Sequence, residues 1–282
     1  MASFRTYELE AKMYTTTGLK FTANLSLLFP QVPINERAEL AVAAGFDAAE
    51  FWWPFGSATP SDAEISDFIS GVKNSGIKLT GLNFAAGNMP QGDRGLISDP
   101  TEVESFKASV EILLHIANET GVRMFNLLYG NTIEGVSADI QEGTARENVR
   151  YVQAKVAKAL GATILIEQCN PRENAKYRLP APKDAVKVVT ELNAESPNTL
   201  GLLADVYHCA ESGNDPVALI DNHFGIIRHV QIADSPGRNE PGTGSVDFKK
   251  VFEVLIKNKY SGYIGLEYRP KGDTVEGLSW LS

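Results

Sequence analysis

The residues best equipped for chemistry in this chain are carboxylates and amides that interrupt apolar runs. In ATILIEQCN, residues 162–170, Thr163, Leu165 and Glu167 share one side of an extended chain, while Ile164 and Ile166 take the other. The run begins as a buried strand and ends on Glu167, with Gln168 and Asn170 beside it. A buried lone carboxylate is strongly destabilising unless a metal, a cation or a proton accompanies it. Three later runs break in the same way. LGLLADVYH ends with Asp205 and His208, IIRHVQIAD with Gln231 and Asp234, and YIGLEYRP with Glu267 and Arg269. Side-chain parity sets Glu167, Asp205, Gln231 and Glu267 above Leu165, Leu203, His229 and Gly265 on the inward faces of four strands.

Carboxylates gathered at one point raise one another's pKa and need a counter-charge. A divalent cation supplies it, and a set of carboxylate and amide oxygens suits Mg²⁺ or Mn²⁺ better than zinc or copper. The expected metal set is therefore Glu167, Asp205, Gln231 and Glu267. His208 is placed for a substrate hydrogen bond, whereas His229, one layer below Gln231, reads as core packing.

Such strand ends have to be positioned by a repeating scaffold, and the chain alternates accordingly. Strands are expected at 21–29, 48–55, 77–87, 123–130, 162–170, 200–206, 226–233 and 263–268. Helices are expected at 35–45, 61–76, 102–120, 138–160, 182–193, 216–222 and 247–257. Polar loops at 88–100 and 234–245 are long enough to act as binding loops. Eight strands with polar carboxyl ends favour one α/β domain closed as a (β/α)₈ TIM barrel over an open doubly wound sheet. No glycine-rich dinucleotide fingerprint or phosphate-loop motif is present. The barrel is expected over 21–282, with residues 1–20 as an N-terminal extension.

The net charge of −9 argues against a general nucleic-acid surface, and no apolar run is long enough to span a membrane. Cys169 and Cys209 fit a reducing, cytoplasmic setting and read as small buried fillers, not as a disulfide framework. The expected partner is a small-molecule 2-oxo acid or sugar, with self-association into a homo-oligomer left open.

The segments FTANLSLLFPQVP, GFDAAEFWWPF, LIEQCNP, ADVYH, HVQIADSPGRNEP and GLEYRPKGDTVEGLSWL resemble the hydroxypyruvate isomerase family within the xylose-isomerase-like barrels. The resemblance runs from Phe21 to the end, and the PGRNEP loop and the C-terminal tail are its most specific parts. It implies a metal-assisted interconversion of hydroxypyruvate and tartronate semialdehyde, with Glu167 and Glu267 as the catalytic pair. It also implies that Gln231 stands where the wider superfamily has a histidine ligand.

On this reading Arg238 takes the substrate carboxylate, with Arg269 or Lys271 as other choices, and Glu240 steadies Arg238 or contacts substrate. One or two of Phe51, Trp52 and Trp53 would face the substrate. The alternatives are a 2-oxo-tetronate isomerase or ketose 3-epimerase on the same barrel, a metal-dependent endonuclease, and a non-catalytic barrel that binds a small acid.

Overall fold

A computed structural model describes residues 18–281. Eight parallel strands form a closed barrel in sequence order: β1 (Lys20–Asn24), β2 (Ala48–Phe51), β3 (Lys78–Asn83), β4 (Met124–Asn126), β5 (Thr163–Glu167), β6 (Leu200–Asp205), β7 (Ile227–Ile232) and β8 (Tyr263–Leu266). Closure is made by β1 on β8, with Lys20 opposite Tyr263 and Ala23 opposite Leu266. Lys20 thus belongs to the barrel, one residue earlier than the sequence boundary, and the rest of the expected extension, residues 1–17, lies outside the described residues.

The helices that surround the strands are α1 (Arg37–Ala43), α2 (Asp62–Ser75), α3 (Val103–Thr120), α4 (Ala138–Val152), α5 (Pro182–Glu195), α6 (Val206–Glu211), α7 (Pro216–His223) and α8 (Phe248–Lys257). Local chemistry sets their ends. Ser61 closes a capping box with Glu64 at the start of α2, and Gly76, with φ 72°, ends it in the left-handed conformation that glycine adopts without penalty. Helix α3 buries Phe106, Val110, Leu113, Ile116 and Ala117 against the sheet at helical spacing. Truncating one of its large side chains to alanine would cost about 2–5 kcal/mol. After α4 the chain widens into a π-helical turn, Gln153–Lys158, that sends Gln153 inward to Thr199 Oγ1 at 2.8 Å.

Two differences from the expected elements have clear causes. The apolar run that suggested a strand to residue 29 turns at Asn24, whose carbonyl accepts from Leu27 and Leu28 N–H and whose side chain accepts from Ser26 N–H. Leu25, Leu28 and Phe29 are buried in that turn, so hydrophobicity there marks packing and not extension. Helix α6 was not expected; Asp205 caps it by accepting the His208 N–H at 2.8 Å. The C-terminal turn Glu276–Leu281 folds back so that Trp280 meets Phe21 edge-on at 5.6 Å and stacks on Phe252.

Candidate active site

The carboxyl ends of all eight strands are polar. Asn24, Asn83, Asn126, Glu167 and Asp205 are the last residues of their strands; Glu50 and Gln231 stand one before the end of theirs, and Glu267 one after. Above them opens a cavity of about 740 Å³ whose wall includes Glu167, Glu267, His208, Arg238 and Cys169. Trp52, Trp53 and Phe55 from the loop after β2, and Met89, Pro90 and Arg94 from the loop after β3, form the mouth. Phe51 is core, packed edge-on against Phe68 at 5.1 Å.

Glu167 and Glu267 therefore share one pocket, 4% exposed each. Glu167 Oε2 accepts from Asn126 Nδ2 at 2.7 Å, and Glu267 accepts from Asn24 Nδ2 at 3.1 Å and from Arg238 Nη2. Burial, then the like charge of Asp205, pushes Glu167 up to about 8. Burial likewise lifts Asp205 to about 6 and holds Glu267 well above the usual carboxylate range, although Arg238 pulls both down. One guanidinium does not neutralise three carboxylates.

Arg238 is itself buried, despite a backbone in the left-handed region at φ 56°. Burial opposes its charge, but Glu267, Asp205 and Glu167 outweigh that and hold it protonated. Its guanidinium lies over the rings of Tyr207 at 5.2 Å and Trp52 at 6.0 Å, 4.0 Å from Asp205 Oδ2, and its Nε has no protein partner. Arg269 is exposed at the rim.

Glu240 accepts the Lys271 N–H at 2.9 Å and packs against Gly277, tying its loop to the tail, and among the described residues no hydrogen bond or ion pair joins it to Arg238. Asp234 also turns from the cavity. Its carboxylate accepts backbone N–H groups of Ser235, Gly242, Gly244 and Val246, stapling the loop that carries Arg238.

His208 is held by its neighbours in one tautomer. Its Nδ1 accepts the Asn170 backbone N–H at 3.2 Å, and Asn170 Nδ2 lies 2.7 Å from the same atom. Burial, then the positive charges of Arg238 and Arg94, keeps the ring neutral, so the ring proton sits on Nε2, which points to Glu167 at 3.8 Å.

Two donor sets could hold a metal. Glu167, Cys169 and His208 have ligand atoms within 4.8 Å of one another. Their chemistry fits poorly, because Nε2 of His208 carries a proton and burial beside Glu167 keeps the Cys169 thiol protonated. The oxygen set fits better. Gln231 Nε2 donates to Glu50 at 2.7 Å, while its Oε1 is buried without a protein partner. Gln231 lies opposite Asp205 in the β6–β7 register, and both sit outside the lining of the large cavity.

Several roles here escaped the sequence reading. Asn24, Asn126 and Asn170 hold Glu267, Glu167 and His208, and Glu50 joins β2 to β7 by accepting from His229 Nε2 at 2.7 Å. His229 is thus a hydrogen-bonding core residue. The signal was present: Asn24, Glu50, Asn83 and Asn126 repeat in the first four strands the polar strand end already recognised in the last four.

Comparison with known proteins agrees with this architecture. Residues 38–282 match the family model described as xylose isomerase-like TIM barrel. A Streptomyces coelicolor protein, whose name is a provisional assignment as a hydroxypyruvate isomerase, is 40% identical over 93% of this chain and 95% of its own. The protein named hydroxypyruvate isomerase of Escherichia coli K12 is 30% identical over 93% and 98%, and the 2-oxo-tetronate isomerase of Haemophilus influenzae shows the same identity and coverage. A solved structure of an AP endonuclease, family 2, from Brucella melitensis superposes with a TM-score of 0.83 at 33% identity, covering 93% of this chain and 97% of that one. With a closed eight-stranded barrel, polar strand ends and relatives of these names along nearly its whole length, the chain belongs to the xylose isomerase-like TIM barrel family, in its hydroxypyruvate isomerase branch.

Proposed function

We propose that this isomerase interconverts hydroxypyruvate and tartronate semialdehyde (2-hydroxy-3-oxopropanoate), shifting a carbonyl between adjacent carbons of a small 2-oxo acid. The observation that carries the reading is the pair Glu167 and Glu267, reaching one cavity from β5 and β8, each buried and held by its own asparagine. One carboxylate removes the proton from the hydroxymethyl carbon. The electrons of that C–H bond form the carbon–carbon double bond of an enediolate, and the former carbonyl oxygen becomes an oxyanion. The other carboxyl returns a proton to the neighbouring carbon, and the proton of the terminal hydroxyl passes to the C2 oxyanion, leaving a hydroxyl on C2 and the aldehyde on C3.

The neutral His208 offers its Nε2–H to the oxygen on which charge develops, a donor already fixed in place before substrate arrives. A divalent cation, Mg²⁺ or Mn²⁺, held by Glu167, Asp205, Gln231 Oε1 and Glu267, would balance the carboxylates and polarise the substrate oxygens. Arg238 Nε, facing no protein acceptor, and the exposed Arg269 are the cations for the substrate's own carboxylate.

The test combines turnover with exchange. Glu167→Gln and Glu267→Gln are each expected to lower kcat by about 10²–10⁴-fold with an unchanged circular dichroism spectrum. In D₂O the wild-type enzyme should place deuterium on the carbon α to the carboxylate, followed by proton NMR. Binding of the acid without deuterium incorporation would mean a non-catalytic barrel, and near wild-type turnover by either variant would remove that glutamate from the mechanism.

A second reading is favoured by size. A cavity of about 740 Å³ suits a drug-sized ligand, far more than the seven non-hydrogen atoms of hydroxypyruvate. A longer hydroxy-oxo acid, or a ketose, would use the same carboxylates and reach the Trp52 and Trp53 wall. Comparing kcat/KM for hydroxypyruvate, 2-oxo-tetronate and free ketoses separates the two. Against a phosphodiester substrate stands the net charge of −9 around an acidic pocket.

A further inference from the structure

Below the cavity a second polar cluster fills the barrel axis, and its centre is a carboxylate with no part in the reaction just described. Glu50 is 3% exposed and accepts three hydrogen bonds: from His229 Nε2 at 2.7 Å on Oε2, and from Gln231 Nε2 at 2.7 Å and Asn24 Nδ2 at 3.0 Å on Oε1. The barrel is shaped to admit it. A Cβ on Gly265 would lie 2.5 Å from Glu50 Oε1 and 2.8 Å from Gln231 Cγ, and one on Gly81 would crowd the Glu50 Cβ at 3.3 Å. Layers of branched aliphatic residues ordinarily fill this part of such a barrel. A buried acid is a weak source of stability, so its presence calls for another role.

That role follows from what an ionised carboxylate can do. It only accepts hydrogen bonds, so it selects the NH₂ end of any amide beside it. With Nε2 of Gln231 fixed on Glu50, the amide oxygen must face the other way, and that oxygen is buried without a protein partner on a residue that pairs with Asp205 in the β6–β7 register. Asn24 is sorted by the same oxygen. Its Nδ2 is shared between Glu50 and Glu267 Oε2, while its Oδ1 accepts the Ser26 N–H.

We propose that Glu50 is a positioning residue: it fixes the Gln231 amide with its oxygen toward Glu167, Asp205 and Glu267 and holds the Asn24 amide group against Glu267. The inference rests on the reading of those oxygens as a divalent-cation site.

The test is the dissociation constant for Mn²⁺, measured by calorimetry on metal-stripped full-length protein, with thermal unfolding run alongside. Glu50→Gln should weaken Mn²⁺ binding by about 10- to 100-fold, as loss of an orienting partner does. The exchange variant, Glu50→Gln with Gln231→Glu, should restore wild-type affinity or better. In it the amide now on β2 donates to the carboxylate now on β7, whose second oxygen faces the site.

Equal affinity in wild type and Glu50→Gln overturns the proposal, and so does an exchange variant as weak as the single one. If Glu50→Gln does not fold, the exchange variant decides alone, since it keeps the paired hydrogen bond: tight binding supports the role and loss of binding removes it. A wild-type protein that binds no Mn²⁺ brings down the cation-site reading itself and the proposal with it, a result distinct from both.

Discussion

His208 shows how one hydrogen bond decides a residue's chemistry. A backbone N–H cannot accept, so the Asn170 amide forces a lone pair onto Nδ1 and the ring proton onto Nε2. The ring thereby presents an N–H donor at Nε2 and not a lone pair for a metal, although its position beside Glu167 and Cys169 invites the other reading. His208→Asn keeps an acceptor near the Nδ1 position and deletes the Nε2–H. It should lower kcat by about 10²-fold, as removal of one preorganised donor does, while leaving the Mn²⁺ dissociation constant unchanged in calorimetry. A collapse of metal affinity in this variant would move the ion to the Glu167, Cys169 and His208 cluster.

The loop between β7 and α8 is positioned from a single side chain. Asp234 is fully buried and collects four backbone N–H groups, while its own carbonyl accepts from Arg238 N–H. Asp234→Ala would leave those donors unpaired in a buried setting, at about 2–4 kcal/mol. The expected outcome is a fall of about 5–15 °C in unfolding midpoint. Because the same loop carries Arg238, the KM for acidic substrates should rise as well, and an unchanged KM would separate loop order from substrate binding. From sequence, Asp234 was a polar group ending the β7 run and the first residue of an expected loop, with no direction assigned to its side chain. Parity along β7 cannot report on a residue past the strand's end, where the chain has already turned.

Closure of the whole barrel brings together oxygens that are distant in sequence: Asn24 donates to Glu267 across a separation of 243 residues. Concentrating buried carboxylates in this way makes the metal-free protein less stable than a neutral interior would. A cation bound only to the folded state should then stabilise it by about 2.7 kcal/mol at a hundredfold excess over its dissociation constant. Adding Mn²⁺ or Mg²⁺ to stripped protein should accordingly raise the unfolding midpoint by about 5–10 °C, and Glu267→Gln should show little or none of that rise. An equal rise in the variant would mean that the ion sits away from the strand ends.

The fold and the identity of the four acidic and amide strand ends from β5 to β8 were legible in the sequence, because alternation of apolar strands with amphipathic helices is a local property and side-chain parity has a period of two. The polar ends of β1 to β4 were equally visible in type but carried no sign of their partners. Which way Arg238, Glu240 and Asp234 point, which nitrogen of His208 holds the proton, and which end of the Gln231 amide meets Glu50 all depend on atoms contributed from elsewhere in the barrel. An amide or an imidazole has two usable ends, and only a partner brought in by barrel closure chooses between them.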